Sequence, residues 1–263
     1  MSDANDTRVL PDRAARLQGG RPECHGESRT GARRSLNQDC FLSAPVGGGL
    51  GRLLAVADGI GGAPAGERAS SLAVDTLQIF FTEEGEFLMR SGRRDDEILQ
   101  SLRRALGRCH AALQRDAAAA PERAGMGTTL TAGLILWPKL YLAHLGDSRM
   151  YLHRGASLRR LTEDHTYART LQQAGILDPL GLRVSGWKNV VWNVLSTRVP
   201  GPPPAIHPDL DVLELERGDT LFLCTDGVID SLSDEVILSI LSEGGTAEDQ
   251  SRRLIDRAVR NGA

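Results

Sequence analysis

Three apolar runs in this 263-residue chain end in an aspartate beside a glycine: Leu53 to Ala57 before Asp58-Gly59, Leu140 to Leu145 before Gly146-Asp147, and Leu221 to Cys224, with Thr225, before Asp226-Gly227. Runs of about five apolar residues bounded by glycine predict buried strands. A carboxylate at a strand end is rigidly placed, and an adjacent glycine lets a hard cation approach the backbone. Singly, each aspartate could equally make a local turn with its own side chain. Together, and distant in sequence, they point to an acid cluster built by the fold. Oxygen ligands favour magnesium or manganese over zinc. Two such ions about 3.5–4 Å apart lower the pKa of a shared water and clamp both oxygens of a displacement at phosphorus.

Phosphoryl chemistry also needs a cation that holds the substrate. Arg34, in Arg34-Ser35-Leu36-Asn37-Gln38-Asp39, lies just ahead of the first strand, and its planar fork suits a phosphate bidentately. His165, after Asp164, could shuttle protons or hold structure through hydrogen bonds. His110 and His144 read as packing or surface residues, and His207 is uninformative.

The elements that must carry these residues are legible from periodicity. Phe41 to Ser43 and Leu53 to Ala57 flank Gly47-Gly48-Gly49 and predict a hairpin. Glu67 to Phe81 and Asp95 to Arg115 have helical apolar faces, the second stopping before Pro121. Thr128 to Trp137, Leu140 to Leu145, Arg149 to His153 and Ser157 to Leu161 predict an antiparallel meander. A short helix from Thr166 to Ala174 follows, then a largely irregular stretch to Pro204 in which only Val190 to Leu195 is strand-like. Strands at Leu210 to Leu215 and Thr220 to Cys224 precede helices at Ser233 to Leu241 and Ala247 to Val259. Clustered strands separated by a helical pair predict an α+β layered fold.

Composition narrows the class. Hydrophobic residues at 41% and charged residues at 25% are ordinary for a globular protein. A net charge of −3 offers no basic face for nucleic acid. No apolar run approaches the ~18 residues of a membrane span. Residues 1–25 are polar and aperiodic, predicting a flexible leader without a signal-peptide core and hence a cytoplasmic protein. Cys24, Cys40, Cys109 and Cys224 show no C-x-x-C spacing and read as reduced thiols.

Six segments in order resemble the metal-dependent serine/threonine protein phosphatases (the PPM or type 2C family) of the bacterial kind. They are Arg34 to Asp39; Val56 to Gly62 followed by Gly66-Glu67; Gly125 to Leu130; Leu145 to Arg149; Leu161 to His165; and Cys224 to Gly227. The resemblance runs from about residue 26 to the C-terminus, and its specificity lies in the order. It implies two antiparallel β-sheets in a central sandwich flanked by helix pairs, with Mg²⁺ or Mn²⁺ in a cleft. Asp58 would bridge two ions with the Gly59 carbonyl, Asp226 would hold the first, and Asp147 would serve a possible third. Arg34 would bind substrate phosphate, Asp39 would hydrogen-bond a metal-bound water, and the stretch after His165 would form a flap. The implied activity is hydrolysis of phosphoserine and phosphothreonine in proteins by a metal-activated water. The implied partners are phosphorylated proteins and a serine/threonine kinase.

Two departures bear on that expectation. Gln38 stands where the family often has an acid. The family's Asp-Asn pair and final strand after the last helix have no counterpart up to Asn261-Gly262-Ala263, so the domain at 26–263 is expected to lack its last core strand and one metal carboxylate. The alternative is therefore a pseudophosphatase that binds a phosphorylated partner or kinase. A haloacid-dehalogenase-type enzyme would need an Asp two residues before a second Asp after a buried strand, and neither Asp58 nor Asp226 has that neighbour.

Overall fold

A computed structural model describes residues 17–18, 21–31, 36–60, 65–88, 94–176, 190–197 and 206–263. Among these, the longer strands are β1 (Asp39–Val46), β2 (Gly51–Asp58), β3 (Leu130–Leu136), β4 (Lys139–Leu145), β5 (Arg149–Arg154), β6 (Ser157–Arg160), β7 (Asp209–Glu214) and β8 (Thr220–Cys224). The helices are α1 (Gly66–Leu88), α2 (Asp95–Ala119), α3 (Tyr167–Gln173), α4 (Asp226–Ile229), α5 (Asp234–Ser242) and α6 (Ala247–Arg260).

Alternation along the strands builds three layers of core. In β2, Leu53, Ala55 and Ala57 face one way and Leu54 the other, as the two-residue period of a strand buried on both faces requires. The first set meets Leu77 and Phe80 of α1 and Leu102 and Leu106 of α2. Leu54, with Ile135 and Leu142, meets Met150, Leu152 and Leu221 of the second sheet. That sheet's outer face, with Tyr151 and Cys224, packs on Ile237, Leu241 and Leu254 of α5 and α6. Each fully buried Leu or Phe in these layers contributes roughly 1.5–3 kcal/mol. The expected helix–sheet–sheet–helix sandwich is the fold found.

The strand order is β7-β4-β3-β2-β1 in one sheet and β8-β5-β6 in the other, with every pairing antiparallel. Short pairings add Leu17–Gln18 to Arg21–Pro22 and Leu195–Ser196 to Gly127–Thr128. Both long helices extend further than expected. At the start of α2, Asp95 accepts from Lys139 Nζ at 2.7 Å and from the Tyr141 hydroxyl at 2.7 Å, fixing the helix to β4. The strand expected from Thr128 is interrupted at Thr129, whose N–H donates to the Asp58 carbonyl at 2.9 Å. Cys24 is fully buried in the core between the sheets, so packing begins before residue 26, inside the expected leader. Residues 1–16 and 19–20 of that leader, and most of the irregular stretch before Pro204, lie outside the described residues. All four cysteines are free thiols, three of them buried.

Candidate metal centre

The strand ends converge. Asp39 and Asp58 are directly opposed in the β1–β2 register, so their side chains leave the sheet side by side. Asp226 opens α4, immediately after β8. Asp147 sits in the turn between β4 and β5. Asp58 is pushed up to about 9, first by burial, then by the charges of Asp226, Asp39 and Asp147, and least by hydrogen bonding with Asp226. Asp147 rises to about 7, again by burial first, then through Asp226 and Asp164.

Half-buried, oxygen-only acids that cannot all ionise together have the chemistry of a hard-cation site. A divalent cation would let them ionise, so the residues fit magnesium or manganese. Among the described residues, no three His, Cys, Asp or Glu side chains form a ready-made metal shell.

A frame of hydroxyls holds the aspartates. Asp58 N–H donates to Thr129 Oγ1 at 2.9 Å, and the Thr128 hydroxyl donates to the Asp58 carbonyl at 2.8 Å. Thr129 Oγ1 lies 2.9 Å from Ser148 Oγ, linking Asp58 to the residue after Asp147. The Thr225 hydroxyl donates to Asp39 Oδ2 at 3.0 Å. Sequence reasoning missed these four hydroxyl residues, although each adjoins a site residue or lies in a quoted motif.

The glycines beside the aspartates sit in different surroundings. A Cβ on Gly59 would collide with the Gly66 carbonyl, because α1 begins against that position. Gly146 has φ +115°, and a Cβ there would lie 2.5 Å from Thr129 Cβ. Around Gly227 there is open space. Gln38 holds α1 and the Asp58 turn through its backbone carbonyl, which accepts from Gly59 N–H at 3.0 Å and Ser70 Oγ at 2.7 Å.

His165 is a clamp on the Asp147 turn. Gly146 N–H donates to His165 Nδ1 at 3.1 Å, and His165 N–H donates to the Gly146 carbonyl at 2.8 Å. With Nδ1 accepting, Nε2 carries the proton and donates to Asp209 Oδ2 at 3.1 Å. On the other side, Arg149 grips Asp164 bidentately at 3.0 and 2.7 Å and donates to the Tyr151 hydroxyl at 3.1 Å. Asp39, Asp58, Asp147 and Asp226 are thus brought together, with Gly59 adjoining. Arg34 lies outside the described residues.

The protein phosphatase 2C family model matches residues 28–252. The serine/threonine protein phosphatase PstP of Mycobacterium tuberculosis is 34% identical over 235 residues, covering 89% of this chain and 41% of PstP. Protein phosphatase PhpP of Streptococcus pneumoniae is 30% identical over 225 residues, 86% of each chain. The crystal structure of the PstP catalytic domain in complex with two manganese ions aligns with a TM-score of 0.74 at 33% identity, covering 90% of each chain. The chain therefore spans less than half the length of full PstP. With the matched segment embracing the whole acid cluster and both sheets, the chain belongs to the protein phosphatase 2C family.

Proposed function

We propose that this chain hydrolyses phosphoserine and phosphothreonine in proteins, in the cytoplasm of a bacterium, and opposes a serine/threonine kinase. The observation that carries the reading is the cluster of Asp39, Asp58, Asp147 and Asp226, drawn from the strand ends of two sheets to one point. The manganese ions named for the PstP catalytic domain support the same chemistry. Asp58, the Gly59 carbonyl and Asp226 would hold the ions, with Asp147 serving a further one. Bound there, divalent ions supply a water that is nucleophilic at neutral pH and neutralise charge on the phosphoryl oxygens.

The chain's own groups do the rest. Asp39, held by Thr225, would accept a hydrogen bond from the attacking water and orient it. Arg34 would clamp the phosphate through its fork. The Thr129–Ser148 link keeps Asp58 and the Asp147 turn at a fixed separation, which preserves the alignment an in-line attack needs. The test is manganese-dependent release of phosphate from p-nitrophenyl phosphate and from a phosphothreonine peptide. Asp58→Asn should lower kcat by at least about 100-fold. Turnover that persists in excess chelator would sink the reading.

A further inference from the structure

The segment 190–197 spans the ground between two of the acid-bearing turns. At one end, Tyr167 N–H donates to the Val190 carbonyl and Trp192 N–H donates to the His165 carbonyl, each at 3.0 Å. His165 is the clamp on the Asp147 turn. At the other end, Leu195–Ser196 pairs with Gly127–Thr128. The same Gly127–Thr128 pair meets Gly59 and Ile60, whose N–H donates to the Gly127 carbonyl at 3.0 Å. One short segment therefore touches the supports of both turns.

Side chains along it alternate, as in a strand. Trp192 is 47% exposed, Leu195 is fully buried, and Asn193, on the inward side with Leu195, is only 8% exposed. An apolar residue would gain from that burial, whereas a buried amide is costly unless its groups are bonded. Asn193 Nδ2 donates to the His207 carbonyl at 2.9 Å and lies 3.1 Å from His165 Nδ1. A carbonyl only accepts, so the first bond fixes which end of the amide faces the ring. His165 Nδ1 is thus an acceptor shared by Asn193 and the Gly146 N–H, and Nε2 carries the proton toward Asp209. The ring packs against His144 and Trp192, with centroids 4.8 and 5.3 Å away.

We propose that Asn193 is a positioning residue for the metal centre. Its amide selects the His165 tautomer that accepts from Gly146, and so sets the turn from which Asp147 reaches an ion. A carboxylate in its place would have no N–H to give. Facing the His207 carbonyl and the ring's lone pair, it would draw a proton onto His165 Nδ1. That proton would oppose the Gly146 N–H, and the turn would lose its acceptor while the apolar layers stayed intact.

The inference rests on the metal-centre reading above, and its first two readouts need no turnover. In the metal-free full chain, the side-chain nitrogen resonances of His165 should show Nε2 protonated and Nδ1 bare. Asn193→Asp should put a proton on Nδ1. In calorimetry with Mn²⁺ the variant should hold its weakest ion at least about tenfold less tightly, as for a lost outer-shell partner, with tighter ions changed by less than about twofold. Turnover of a phosphothreonine peptide should need about tenfold more manganese at unchanged KM for the peptide. Should the variant fail to fold, the wild type carries the test: Mg²⁺ should shift the Asn193 amide, His165 Nδ1 and Gly146 N–H resonances along one titration curve. A protonated Nδ1 in the metal-free wild type, unaltered ion affinities in the variant, or resonances unmoved by Mg²⁺ would overturn the proposal. A wild type that binds manganese yet turns over no phosphopeptide would sink the catalytic reading instead, and the nitrogen spectra and calorimetry would still decide the role of Asn193.

Discussion

Replacing Asp58 with asparagine should stabilise the metal-free protein while removing its response to manganese. In the fold the Asp58 carboxyl sits near 9, against an ordinary value of 3.8, because it is buried beside Asp226, Asp39 and Asp147. At pH 7 the unfolded chain has this group ionised and the folded chain has it protonated. Folding therefore takes up a proton over about three pH units, at roughly 1.4 kcal/mol each, a cost of about 4 kcal/mol. Once the folded value lies above 7, its exact position drops out of that figure. Because the folded state binds more protons between pH 4 and 9, wild-type stability falls as pH rises across that window. Asparagine keeps the shape and can still donate to Asp226, so the variant should gain about 2–4 kcal/mol at pH 7 and lose most of the slope. Urea unfolding in excess chelator at pH 5, 7 and 8.5 measures both. Manganese at 100 times its dissociation constant should stabilise the wild type by about 2.7 kcal/mol and the variant by far less. A variant less stable than the wild type in chelator, or one with the same pH slope, would refute the crowded-carboxyl account.

Other perturbations probe the frame around the acids. Gly146→Ala places a side chain at φ +115° against Thr129. Strain and overpacking should together cost roughly 2–5 kcal/mol in urea unfolding, and a loss below about 1 kcal/mol would speak against that geometry. Buried His144 is pushed down to about 3, mainly by burial and then by His165. It stays neutral in the fold while the unfolded chain protonates below about 6.5, so stability should fall as pH drops from there toward 3, by up to roughly 4 kcal/mol. Circular dichroism across that range should show His144→Asn with a shallower acid dependence; identical curves would remove His144 as the cause. Arg149→Lys keeps the charge but loses the bidentate grip on Asp164, and should cost about 1–3 kcal/mol with a weaker manganese response. Full retention of both would make that pair decorative.

What was legible in the chain, and what was not, follows from the range of the interactions. The aspartates at the ends of β2, β4 and β8 could be read because burial and glycine leave a local pattern. Their meeting could be argued because acids repel unless a fold and a cation hold them together. The hydroxyl frame left no such mark. Thr128 and Thr129 look like ordinary strand residues, and only the β2–β3 register turns them toward the backbone of Asp58. Gly59 carried a clear sequence signal, but its packing against Gly66 at the start of α1 could not be read from it. The order of strands within each sheet was least accessible, because a strand's neighbours depend on pairings far apart in sequence. β8 shows an unremarkable apolar run, and its antiparallel pairing with β5 appears only in three dimensions. Local chemistry thus announces where the acids are.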